Sequence, residues 1–147
     1  MHNITNILEE KGSRLVHTVT QEATVLEAVE AMCAAGVGAL LVCDRGAPLG
    51  IFSERDLMTR VILERRDPSA TQVGEVMNTE VACVSLETST DEAMAIMTER
   101  RCRHLPVVHK GAVVGLVSIG DLVRHETTNQ QYEIRMLTEF ICGKYPG

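Results

Sequence analysis

The chain has 147 residues and a net charge of −6, with 45% hydrophobic, 23% charged and only 3% aromatic residues. This length allows one ordinary domain or two very small ones, and the composition excludes a largely disordered protein. The negative charge argues against a general nucleic-acid binder, because such proteins need an excess of basic side chains to face phosphates.

Residues 1–15 are predicted to form an N-terminal helical flank, since Ile4, Ile7 and Leu8 make a short apolar stripe. This flank either covers the core or forms a subunit interface. Its early acidic residues and the absence of a basic start are unlike a secretory signal. The apolar runs of the chain are too short to span a bilayer. We therefore expect a cytoplasmic protein with no membrane or nucleic-acid partner.

A first unit, residues 16–66, follows the order β-α-β-β-α. Short β-branched or apolar runs predict the strands, and apolar residues at helical spacing predict the helices. Turn residues separate the two later strands. The predicted elements are a strand at Val16–Thr20, a helix at Val25–Ala35, strands at Ala39–Cys43 and Leu49–Phe52, and a helix from Ser53.

A second unit, residues 81–125, repeats the first at an offset of 65 positions. Between Val16–Leu57 and Val81–Leu122, 14 of 42 aligned positions are identical without a gap, which indicates a duplication. The corresponding elements are a strand at Val81–Ser85, a helix at Asp91–Arg100, strands at Leu105–Val108 and Val113–Val117, and a helix from Ser118.

The predicted fold class is α/β (α+β by stricter counting), with two β-α-β-β-α units related by a pseudo-twofold axis and short flanking helices. Residues 67–80 are predicted to be the linker and the start of the second unit. Residues 126–147 are predicted to form a C-terminal helix and tail, because Ile134, Leu137 and Ile141 make an apolar stripe.

Both units end in the pattern Gly-apolar-apolar-Ser-x-x-Asp, at Gly50–Asp56 and Gly115–Asp121. Each pattern places a serine and an aspartate at the start of a helix, where unpaired N–H groups favour an anion. A carboxylate there can also bind the hydroxyls of a diol. An N-capping serine with a carboxylate in the first turn is the purely structural alternative.

The run Arg100–His104 is the densest positive charge in this acidic chain, and it precedes a strand. Its arginines suit phosphate recognition, or they complement the end of a helix dipole. The matching run of the first unit, Ala35–Ala39, is small and uncharged, so the two units differ chemically. Within the basic run, Cys102 is a candidate redox-active thiol, because adjacent arginines lower thiol pKa values.

The repeated units, with the two Gly–Asp patterns and the runs Gly38–Val42 and Arg103–Val108, resemble the cystathionine β-synthase (CBS) domain. Two copies over most of the chain resemble a tandem CBS pair, or Bateman module. The resemblance implies a regulatory ligand-sensing module and not an enzyme. It implies an adenosine-containing ligand (AMP, ADP, ATP, NAD(H) or S-adenosylmethionine), with no catalytic cofactor. It also implies a homodimer and a regulated partner protein.

The resemblance implies a binding cleft around Asp121, in which Ser118 and Asp121 hold the ribose and Arg103 and His104 face phosphate. Leu116 would line the adenine slot. The first unit would contribute Val16, His17, Gly38 and Ala39 to this cleft.

A second cleft around Asp56 is implied by the same resemblance. It would use Ile51, Ser53, Val81 and Ala82, and it lacks an Arg-His pair from its own unit, a role that Arg55 could take. No zinc-ligand spacing is present, so no metal is expected. A scaffold without ligand and a thiol regulator acting through Cys102 remain the alternative functions.

Overall fold

The computed structural model describes residues 2–11 and 16–126. Within these residues, no helix is both long enough and apolar enough to cross a membrane. The C-terminal helix predicted beyond Glu126 lies outside the described residues. The helices are α1 (Ile4–Lys11), α2 (Val25–Ala35), α3 (Glu54–Asp56), α4 (Val73–Val76), α5 (Thr90–Arg100) and α6 (Ile119–Glu126), and the strands are β1 (Thr18–Thr20), β2 (Ala39–Asp44), β3 (Ala47–Ser53), β4 (His104–His109) and β5 (Ala112–Ser118).

The first unit contains a three-stranded sheet in the order β1-β2-β3, with β1 parallel to β2 and β2 antiparallel to β3. Helix α2 has the predicted bounds and begins with a capping box, in which Thr24 and Glu27 bond each other's backbone N–H groups. The helix ends at Gly36, whose φ of +68° is the left-handed conformation that suits glycine. The predicted β-α-β-β part of this unit is therefore confirmed.

The last helix of the first unit departs from regular α geometry. Helix α3 begins after Ser53 as predicted, and it continues directly into a π-helical segment, Leu57–Ile62. The equivalent helix of the second unit, α6, is α-helical throughout. Because π-helical turns are rare, this segment is a clear structural difference between the two units.

The strand predicted at Val81–Ser85 is wrong as an extended strand, because a single bridge between Val84 and Val107 replaces it. In the first unit, the N–H of Leu41 donates to the carbonyl of His17 and extends the parallel pairing. The equivalent of Leu41 is Pro106, which has no N–H to donate. The proline therefore shortens the pairing, and β4 and β5 form a two-stranded sheet.

The two units exchange short helices across their boundary. Helix α4 precedes the second unit in the chain, yet Val73 and Val76 are buried in the core of the first unit. Conversely, Leu8 of α1 is buried in the core of the second unit. The offset of 65 pairs Leu8 with Val73, so the exchange is reciprocal. Helix α4 was not predicted from the sequence, since one turn of helix gives too little periodicity to detect.

A third apolar cluster joins the two sheets. Ala39, Leu41 and Ile51 of the first sheet are buried in it, and Val113 and Leu116 of the second sheet pack against them. This contact places the end of β3 close to the start of β4. Helix α3, which follows β3, and helix α5, which precedes β4, therefore lie near each other.

Candidate functional site

An open cleft of about 1290 Å³ lies between the end of β3 in the first unit and the segment joining α5 to β4 in the second. Both units contribute charged side chains to its walls, with five arginines and four carboxylates among the lining residues. The charged lining residues are Glu54, Arg55, Asp56, Arg60, Glu80, Glu99, Arg100, Arg101 and Arg103.

The aspartate of the first repeat is almost completely buried at the floor of this cleft, with 8% of Asp56 exposed. Its Oδ2 atom accepts hydrogen bonds from the backbone N–H of Ser53 at 2.9 Å and from the Ser53 hydroxyl at 3.0 Å. The N–H of Asp56 returns a bond to the Ser53 hydroxyl at 3.3 Å. One carboxylate oxygen thus serves the capping box, as the structural alternative predicted.

The other carboxylate oxygen of Asp56 is engaged less closely. Among the described residues, its partner is Arg60, whose Nε lies 3.8 Å from Oδ1. This distance permits Coulombic attraction but is too long for a hydrogen bond. Oδ1 therefore keeps capacity to accept hydrogen bonds from a ligand in the cleft.

The second unit supplies the basic wall of the cleft. Arg101 ends α5 in the left-handed conformation, with φ of +55°, where the first unit has Gly36. The strain of a non-glycine residue in that conformation occurs here at the edge of the cleft. Arg55 donates to the carbonyl of Arg101 at 3.4 Å, which links the two walls. Arg103 and His104 follow on the same wall.

Gly38 is the first unit's counterpart of Arg103, and it also lines the cleft. A side chain at this position would meet the Glu54 carboxylate, since a Cβ atom would lie 3.3 Å from Oε1. The carbonyl of Gly38 accepts from the N–H of Glu54, and the carbonyl of Arg103 accepts from the N–H of Ile119 in the same way. The same backbone frame therefore presents a flat wall in one unit and an arginine in the other.

Asp121, in the second repeat, has the same cap with different surroundings. It is 7% exposed, its Oδ2 accepts from the N–H of Ser118 at 2.9 Å, and its N–H donates to the Ser118 hydroxyl at 3.1 Å. Its Oδ1, however, accepts a hydrogen bond of 2.7 Å from Arg124. The exposed Arg124 thus makes a short ion pair with Asp121, where Asp56 has a long one with Arg60.

The cleft contains all six residues assigned to the second site from sequence, namely Ile51, Ser53, Arg55, Asp56, Val81 and Ala82. It also contains Gly38, Arg103 and His104, which we had assigned to the Asp121 cleft. The segment before β4 faces the end of β3 across the contact between the sheets, so these three residues line the Asp56 cleft, and their assignment to a ligand site beside Asp121 stays a prediction. Ser118 and Asp121 are not among the described residues that line this cleft.

The remaining predicted residues of the Asp121 site lie at the contact between the sheets. Ala39 is buried in the third apolar cluster, and Val16 and Leu116 pack against it. The backbone carbonyl of His17 is bonded to Leu41 in the first sheet. Whether a ligand occupies a cleft beside Asp121 stays a prediction.

Cys102 lines the cleft, but its environment does not activate it. Burial raises the pKa of the thiol, and the nearby Arg100 charge lowers it by less. The expectation of a lowered pKa is therefore wrong, because partial removal of the sulfur from water disfavours the thiolate more than the arginine favours it. Residues 2–11 and 16–126 also contain no cluster of three or more metal-ligating side chains.

Sequence reasoning missed Arg60, Asn78 and Glu80, all of which line the cleft. Arg60 had a usable signal, since it follows Asp56 by one helical turn at the spacing of an ion pair. Asn78 had none: its backbone pairs with Ile51 by two hydrogen bonds of 3.0 and 2.8 Å, a contact distant in sequence. This pairing lies at the edge of the first sheet, and it places the nearby Glu80 in the lining of the cleft.

Comparison with known proteins gives the same family for both repeats. The family model of the CBS domain matches residues 13–63 and 73–127. The chain is 35% identical over 150 residues to the CBS domain-containing protein CBSX3, mitochondrial, of Arabidopsis thaliana, covering 97% of this chain and 73% of that protein.

Solved structures agree with the family match. A CBS-domain protein from Burkholderia ambifaria MC40-6 is 43% identical, with a TM-score of 0.85 over 87% of this chain and 96% of that chain. A CBS domain protein from Pyrobaculum aerophilum, solved in complex with AMP, is 25% identical, with a TM-score of 0.72 over 81% of this chain and 88% of that chain. The chain therefore belongs to the CBS-domain family of regulatory modules, and it carries two copies of the domain.

Proposed function

We propose that this protein is a regulatory module that binds an adenine nucleotide or dinucleotide in the Asp56 cleft. The proposal rests on one observation: the two walls of the cleft carry groups of opposite charge. A buried aspartate with one available oxygen lies on the first unit, and an arginine cluster lies on the second. A nucleotide has a diol for the first and phosphates for the second.

Phosphate recognition is supported by where the positive charge is placed. In a chain with a net charge of −6, five arginines line one cleft. Arg100, Arg101 and Arg103 fall within four consecutive positions, so a bound phosphate would have several cationic donors within reach. Gly38 lines the same cleft without a side chain of its own, and the Glu54 carboxylate lies beside it.

The identity of the nucleoside rests on the family. The Pyrobaculum aerophilum relative was solved in complex with AMP, so AMP, ADP, ATP and NAD(H) are the ligands to test. The aliphatic side chains of Ile51, Val81 and Ala82 would pack against the adenine, since the described lining of the cleft contains no Phe, Tyr or Trp. We assign no catalytic role to the chain.

Ligand binding would act on the arrangement of the two units. A nucleotide that contacts both walls favours the arrangement in which those walls are close, and it can shift the equilibrium only by its differential affinity. A partner protein would then respond to the changed surface.

We also propose a homodimer in which exposed apolar side chains meet those of a second copy. Met58, Ile62 and Leu63 are 55–75% exposed on or next to the π-helical segment. Ile62→Glu is expected to give a monomer by sedimentation equilibrium, whereas the wild-type protein is expected to sediment as a dimer. A monomeric wild type would refute this part of the proposal.

The nucleotide proposal is tested by calorimetric titration with AMP, ADP, ATP, NAD⁺, NADH and S-adenosylmethionine, using protein freed of bound nucleotide. Loss of charged hydrogen bonds predicts that Asp56→Ala weakens binding by roughly 10- to 100-fold. Asp91→Ala is the matched control, because Asp91 is exposed on α5 and lies outside the lining of the cleft.

The outcomes are distinct. Binding that is lost in Asp56→Ala and kept in Asp91→Ala supports the proposed site. Binding that survives Asp56→Ala refutes the site, and no binding by the wild-type protein at millimolar concentrations favours a scaffold without ligand.

A further inference from the structure

Arg60 connects the binding aspartate to the exchanged helix α4. Its Nε atom lies 3.8 Å from Asp56 Oδ1, and its Nη1 atom donates to the carbonyls of Met77 at 2.9 Å and Val76 at 3.4 Å. Those two carbonyls lie at the C-terminal end of α4. The Arg60 guanidinium therefore lies between Asp56 in the cleft and the C-terminal end of α4.

The segment at the far end of this connection joins the two units physically. Val73 and Val76 fill the core of the first unit, and Asn78 pairs with Ile51 at the edge of the first sheet. Beyond Asn78 the chain continues through Glu80, Val81 and Ala82, which line the same cleft. A change in how firmly α4 is docked therefore bears on how the second unit is held against the first.

We propose that Arg60 is a positioning residue that couples nucleotide occupancy of the Asp56 cleft to the docking of α4. This inference rests on the proposed function and adds the route by which occupancy alters the protein. With Asp56 Oδ1 engaged by ligand hydroxyls, the carboxylate is fixed. The guanidinium attracted to it is then held in the orientation that bonds Met77. The docked α4 in turn presents Asp56 to the ligand.

The coupling is reciprocal by thermodynamic linkage. If nucleotide stabilises docked α4, then docked α4 raises nucleotide affinity by the same factor. The effect is visible in the amides of residues 73–78. The amides of Val73, Met77 and Asn78 are hydrogen-bonded within or around the docked segment and exchange with solvent only when it opens.

Among the described residues, Arg60 and Arg66 both donate hydrogen bonds to α4 or its C-terminal end, which provides a matched pair of variants. Arg66 donates to Glu75 Oε1 of α4 at 3.4 Å, but it lies outside the lining of the cleft. Arg60→Met and Arg66→Met each remove one arginine contact to α4 and keep a stem of similar length. Only the first also removes the link to Asp56. Arg60 is 46% exposed in its side chain, so the fold is expected to survive its replacement.

The experiment is hydrogen exchange of the amides of residues 73–78, with and without AMP, on the full chain. In the wild type and in Arg66→Met, AMP is expected to slow exchange by about fivefold or more, the usual range of allosteric coupling. In Arg60→Met this slowing is expected to disappear and AMP affinity to fall by a similar factor. Arg60→Lys keeps the charge but not the two-sided fork, so it is expected to lose the slowing together with the corresponding share of AMP affinity.

A ligand-free arm tests the inference separately from the proposed function. Asp56→Asn keeps the cap acceptor but removes the charge that attracts Arg60. It is expected to speed exchange of residues 73–78 in the wild-type background and to have no further effect in Arg60→Met. Additive effects of the two substitutions would overturn the coupling, as would an unchanged AMP response in Arg60→Met. Absence of AMP binding in the wild type refutes the proposed function, while this arm still decides whether Arg60 couples Asp56 to the docking of α4.

Discussion

Asp56 and Asp121 occupy equivalent positions in the two repeats, and each uses one carboxylate oxygen to cap its helix with the preceding serine. The second oxygen differs. For Asp121 it accepts a 2.7 Å hydrogen bond from Arg124, and for Asp56 it lies 3.8 Å from Arg60. The two aspartates therefore share the same helix cap, but their second carboxylate oxygens have different surroundings.

The residues that follow α2 and α5 also differ between the two units. The first unit has Gly36 and Gly38 there, and the second has Arg101 and Arg103. The cleft of Asp56 takes its aspartate from the first unit and its opposite wall from the second, so it contains these arginines. The difference between the two repeats therefore places Arg101 and Arg103 in the same cleft as Asp56.

A substitution in α1 that removes a contact with the core of the second unit should have the largest effect on stability. Leu8→Ala removes a buried side chain from the core of the second unit and is expected to lower the free energy of unfolding by about 2–5 kcal/mol. Chemical denaturation measures this change. Leu26→Ala, at a side chain on α2 that is 44% exposed and outside the proposed dimer contact, is the control and should change stability much less. Equal effects of the two substitutions would contradict the exchange.

The two equivalent glycines beside the exchanged segments sharpen the comparison. A Cβ on Gly50 would lie 2.5 Å from the backbone oxygen of Asn78, whereas one on Gly115 would lie 2.9 Å from the end of the Leu8 side chain. A side chain can move and a paired backbone cannot. We expect Gly50→Ala to cost about 3 kcal/mol and Gly115→Ala about 1 kcal/mol, the two ends of the usual overpacking range. A larger loss in Gly115→Ala, measured by denaturation, would show that the Asn78 contact does not constrain β3.

The caps of the two equivalent helices should differ by less. Thr24 accepts from the N–H of Glu27 and also donates to its carboxylate, while Ser89 accepts from the N–H of Glu92. Thr24→Ala is expected to cost about 1 kcal/mol, and Ser89→Ala the same or less. Thermal unfolding of both variants under one buffer condition compares them, and a clearly larger loss in Ser89→Ala would be the opposite result.

The thiol of Cys102 is expected to react more slowly than the thiol of an exposed cysteine. Its raised pKa leaves less thiolate at neutral pH than an ordinary cysteine has, and the thiolate fraction grows only as pH rises toward that pKa. A chain that keeps only this cysteine should react with a disulfide reagent more slowly at pH 7 than a chain that keeps only the exposed Cys33. Faster labelling of Cys102 would revive the thiol-regulator hypothesis.

The repeat made most of this fold predictable. Two aligned copies of one pattern support each other, so the bounds of α2 and the order of the hairpins were accessible from sequence. The missing strand before β4 depends on Pro106, where a single absent N–H outweighs the β-branched pattern of Val81–Ser85. The exchange of α1 and α4 depends on contacts between segments that are short and far from their partners in the chain.

Most of the residues that line the Asp56 cleft carry a signal in the sequence, but the way they come together does not. The Ser-x-x-Asp motifs and the Arg103-His104 pair are visible in the sequence. Which aspartate faces which loop is decided by how Leu41 and Ile51 pack against Leu116 at the contact between the sheets. Local patterns carry no information about that contact, so the sequence alone does not place Arg103 and His104 beside Asp56.

A crystal structure of the protein grown with AMP would test the central claim most directly. The account predicts that the ribose hydroxyls bond Asp56 Oδ1 and that the phosphate contacts the run Arg100–Arg103. Density for AMP beside Asp121 alone, with the Asp56 cleft containing only solvent at saturating nucleotide, would contradict it.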